Sequence, residues 1–111
     1  MSTTINLPNG RYAFDYVEPL GQPGVARQLS ATTTSQNTAL TPSIARISIR
    51  ARGCDIRYAI GVGAQTANAS TSHFIANGER LDLAVPLGAN IAVIRETGAT
   101  VNGSLAVTEL I

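Results

Sequence analysis

The stretch Arg46-Ile47-Ser48-Ile49-Arg50-Ala51-Arg52-Gly53-Cys54-Asp55-Ile56-Arg57-Tyr58-Ala59-Ile60-Gly61-Val62 sets the fold class. Ile47, Ile49 and Ala51 alternate with Arg46, Ser48, Arg50 and Arg52. Beyond Gly53, a second alternation places Cys54, Ile56, Tyr58, Ile60 and Val62 opposite Asp55, Arg57, Ala59 and Gly61. Successive strand side chains point to opposite faces, so a period of two marks a half-buried strand. Arg80-Leu81-Asp82-Leu83-Ala84-Val85 repeats the pattern. No segment keeps an apolar stripe of helical period over three turns.

Working outward, turn signals divide the chain at Asn9-Gly10, Pro23-Gly24, Gly53, Asn77-Gly78, Pro86-Leu87-Gly88, Gly98 and Asn102-Gly103. Asn-Gly supplies the positive φ of tight turns at little cost. Strands are predicted near 11–17, 24–30, 44–52, 54–62, 71–76, 79–85, 90–95 and 104–110. Seven or eight short strands with short connections predict an all-β, antiparallel β-sandwich, jelly-roll-like in form. The expected organisation is an N-terminal arm over 1–10 and one β-sandwich domain over 11–111. Two uncharged stretches, 30–43 and 63–72, read as surface loops or contact loops. The threonine-rich part of the first also suits an edge strand.

The 111 residues hold eight basic and seven acidic side chains, for a net charge of +1. That balance points away from nucleic acid and from anionic membranes, both of which call for a basic excess. Charged residues are 14% of the chain, against about 25% in an average soluble protein. All eight basic residues are arginine. Arginine is enriched at protein interfaces and lysine is depleted there, so a surface covered by a partner is expected. Alanines on the outward side of predicted strands (Ala59, Ala84, Ala92, Ala106) fit the close approach of another surface. If strands 44–52 and 54–62 form a hairpin, Arg46, Arg50, Arg52 and Arg57 share one outer face. They are the candidate partner-contact residues, since the guanidinium fork suits carboxylates and carbonyls.

No catalytic, cofactor or metal site is expected. One histidine and one cysteine fall short of a zinc ligand set, and the acidic residues are too scattered for calcium. His73 lies near Ser70, Thr71 and Ser72, but a triad needs an orienting acid and an oxyanion hole. Gly61-Val62-Gly63 precedes a poor helix sequence, which speaks against a dinucleotide fingerprint. Cys54 reads as a small buried hydrophobe. The opening Met1-Ser2-Thr3-Thr4-Ile5-Asn6 has neither a basic nor a long apolar region, so synthesis in a cytoplasm without secretion is expected.

From Ala51 onward the chain resembles small bacteriophage virion proteins. The carrying residues are Cys54-Asp55-Ile56-Arg57-Tyr58-Ala59-Ile60-Gly61, Ala69-Ser70-Thr71-Ser72-His73-Phe74-Ile75, Gly78-Glu79-Arg80-Leu81-Asp82, Gly88-Ala89-Asn90-Ile91-Ala92-Val93-Ile94 and Gly103-Ser104-Leu105-Ala106-Val107-Thr108-Glu109-Leu110. The resemblance implies a β-sandwich decoration or cement protein on the capsid surface, with the major capsid protein as partner; a homotrimer is the expected state. The competing expectations are a head–tail connector, tail or fibre component, which copy number per particle separates, and a carbohydrate-binding module, which the absence of tryptophan disfavours.

Overall fold

The computed structural model describes residues 21–111. The expected arm over 1–10 and the strand expected near 11–17 lie outside the described residues. Eight strands follow in order: β1 Pro23–Ala31, β2 Gln36–Ala39, β3 Arg46–Arg52, β4 Ile56–Val62, β5 His73–Ile75, β6 Arg80–Ala84, β7 Ala89–Arg95 and β8 Gly103–Leu110. They form two antiparallel sheets of four, ordered β1-β8-β3-β6 and β2-β7-β4-β5. First pairs with last, second with seventh, third with sixth and fourth with fifth. That nesting is a long hairpin rolled up on itself, the jelly roll.

The alternation read from the sequence now has its cause. Leu29, Ala31, Ile47, Ile49, Ala51, Leu105 and Val107 line the inner face of the first sheet. Ile56, Tyr58, Ile75, Ile91 and Val93 line that of the second. Ile47, Ile56, Ile75, Ile91, Val93 and Leu105 are fully buried. Each such side chain contributes about 1.5–3 kcal/mol on leaving water, which makes the inter-sheet layer the main source of stability.

β3 and β4 do not form the hairpin that would have placed Arg46, Arg50, Arg52 and Arg57 on one face; they belong to opposite sheets. Gly53, at φ 91°, turns the chain across the sandwich, and the two apolar sets meet face to face in the core. β2 is an edge strand inside the stretch 30–43, whose sequence suits a loop with an edge strand as the alternative. Gln36-Asn37-Thr38-Ala39 has no buried residue, so it lacks an apolar signal, and its backbone pairing with β7 makes it a strand. Pro23-Gly24, read as a turn, lies inside β1 at an irregularity between Pro23 and Ala26.

Glu109 occupies a core-facing position of β8 and is 1% exposed. Its Oε2 accepts hydrogen bonds from the Thr41 N–H at 2.8 Å and from Arg27 Nε and Nη2 at 3.2 and 3.0 Å. One carboxylate thereby joins β1, β8 and the segment crossing from β2 to β3. Burial alone would raise its pKa, but the hydrogen bonds from Thr41 and Arg27 and the arginine charge outweigh it and hold the carboxyl below its ordinary range.

Candidate partner-binding face

The outer side of the β1-β8-β3-β6 sheet follows directly from register. Ala26, Thr108, Ser48 and Asp82 lie in one row across the strands, and Gln28, Ala106, Arg50 and Arg80 in the next. Ser30, Ser104 and Arg52 continue the sequence of rows. The face is therefore mostly uncharged, with guanidinium groups and the single carboxylate of Asp82 standing out among the residues named. Three of the four candidate arginines, Arg46, Arg50 and Arg52, share it on β3. Arg50 and Arg52 are exposed, and among the described residues neither forms an ion pair or side-chain hydrogen bond.

Arg80 joins them from β6, directly opposite Arg50. Like charges so placed repel. Arg80 turns aside, donating from Nε to Ser48 Oγ at 2.9 Å and pairing through Nη2 with Asp82 at 3.3 Å. Its outward position was legible in the alternation of its own strand. Its place beside Arg50 required the strand order.

Arg57 is corrected away from this group. It lies on the outer side of the other sheet, cross-strand from Phe74 and Ile94. Its Nη1 donates to the Ser72 carbonyl at 2.9 Å, Nη2 sits 3.7 Å from Glu96, and the guanidinium carbon lies 5.1 Å from the Phe74 ring centre. It braces its own chain.

The small residues of that second outer face also have an internal explanation. The segment 63–72 folds back over the sheet, and Ala67 and Ala69 pack on Ala59, Ala92 and Ile94. Ala92 is fully buried there. Main-chain N–H groups of Gln65 and Ala67 donate to Asn37 Oδ1 and Ser35 Oγ, both at 2.9 Å. Thr97 donates from its backbone and its hydroxyl to the Ala69 carbonyl. The close approach that alanine permits at Ala59 and Ala92 is made by the chain itself, whereas Ala106 and Ala84 lie on the arginine-bearing sheet.

The residues weighed for chemistry are dispersed. His73 lies against Tyr58 with ring centres 5.4 Å apart and the planes tilted by 38°, while the Ser70 and Ser72 hydroxyls bond within the Asn68–Ser72 turn. Burial pushes the Cys54 thiol up, Arg95 partly offsets it, and Asp55 adds to the rise. A raised thiol pKa disfavours the reactive thiolate. Among the described residues, no group of three or more His, Cys, Asp or Glu side chains could hold a metal ion. Gly61 to Gly63 ends β4 without a following helix, so the phosphate-binding geometry of a dinucleotide fold does not form.

No protein family, curated protein or solved structure matches this chain. The physical character of its surfaces is therefore what bears on function.

Proposed function

We propose that this protein is a virion structural component that binds the outside of a bacteriophage capsid as a decoration or cement protein and bridges neighbouring capsomers. The observation that carries the reading is the outer face of the first sheet. Arg50 and Arg52, without an ion pair among the described residues, project there beside Arg80, Ser48, Ser104 and Ala106 on a rigid ladder. An exposed ion pair contributes only about 0–1 kcal/mol. Once a guanidinium is covered by a partner's carboxylate, truncating either member costs about 2–5 kcal/mol, largely because the other charge is left buried and unpaired. A shell presents many equivalent sites, so copies that self-associate gain avidity from individually weak contacts. The jelly roll suits the role, being a fold of capsid and lectin domains, although a fold by itself does not assign a function.

The test is co-sedimentation of the purified chain with capsids lacking it, across a salt series. Binding that weakens with salt, and weakens about tenfold or more in Arg50→Ala/Arg52→Ala, is the expected result. No binding to capsids, or equal binding by the double variant, overturns the reading.

A further inference from the structure

We draw no further inference here: the strongest candidate, the largely apolar groove on the open side of the sandwich lined by Tyr58, Ile60, His73, Leu83, Ala84 and Pro86, carries none, because nothing in the structure shows what covers it.

Discussion

Replacing Glu109 by glutamine examines the one buried charge among the described residues. The carboxylate is 1% exposed and its arginine partner 27% exposed. Glutamine keeps an acceptor for the Thr41 N–H but gives up the charge that Arg27 pairs with. Hydrogen bonds to charged groups contribute about 1.5–3 kcal/mol. Arg27 regains some water when released, so the expected loss at pH 7 is about 1–2 kcal/mol. Arg27→Ala is expected to cost more, about 3 kcal/mol, because it leaves a buried carboxylate without its countercharge, held only by the Thr41 backbone and side chain. The pH dependence is the more discriminating measurement. The folded pKa of Glu109 lies below its ordinary value of 4.5. The unfolded chain therefore takes up the proton first as pH falls. The stabilisation is fully present above pH 4.5 and is lost as pH drops through the folded value. Urea denaturation followed by circular dichroism, from pH 7 downward, should show the gap between wild type and Glu109→Gln closing below pH 4.5. A gap that stays constant into strong acid, or no gap at neutral pH, would refute the reasoning.

Other perturbations test the packing around the two faces. Gly103→Ala places a methyl group against the Arg52 carbonyl and beside Cys54 Sγ and N at 2.8 and 2.9 Å; urea denaturation should show a loss of about 1–3 kcal/mol. Ala92→Leu overfills the space beneath Ala67 and should cost about 1–3 kcal/mol, with faster amide exchange at Gln65 and Ala67 as segment 63–72 lifts. If those amides remain as protected as in wild type, the segment is not held by that contact.

Particular residues separate what was legible in the sequence from what was not. Strand existence was legible in β3, β4 and β6, because an apolar residue at every second position can bury only as one face of a strand. β2 was not, because Gln36 to Ala39 contribute backbone hydrogen bonds and no apolar face. Arg46, Arg50 and Arg52 stay together because one strand carries them. Arg57 left the group because alternation fixes the face a side chain takes within its strand, whereas the neighbouring strand depends on closure of the whole sandwich. Ala92 shows the same limit: an outward alanine permits close approach, and only the path of segment 63–72 decided that the approaching surface is the chain's own.

The sequence by itself determined that this is an antiparallel, all-β chain with Ile47, Ile49, Ile56 and Tyr58 facing inward, since side-chain period is a local property of the backbone. The tertiary structure alone decided the jelly-roll order, the arrival of Arg80 beside Arg50, and the meeting of Glu109 with Arg27 and Thr41. Those depend on contacts between residues as distant as Pro23 and Leu110, 87 positions apart, and such pairings are chosen by which arrangement buries both apolar faces at once.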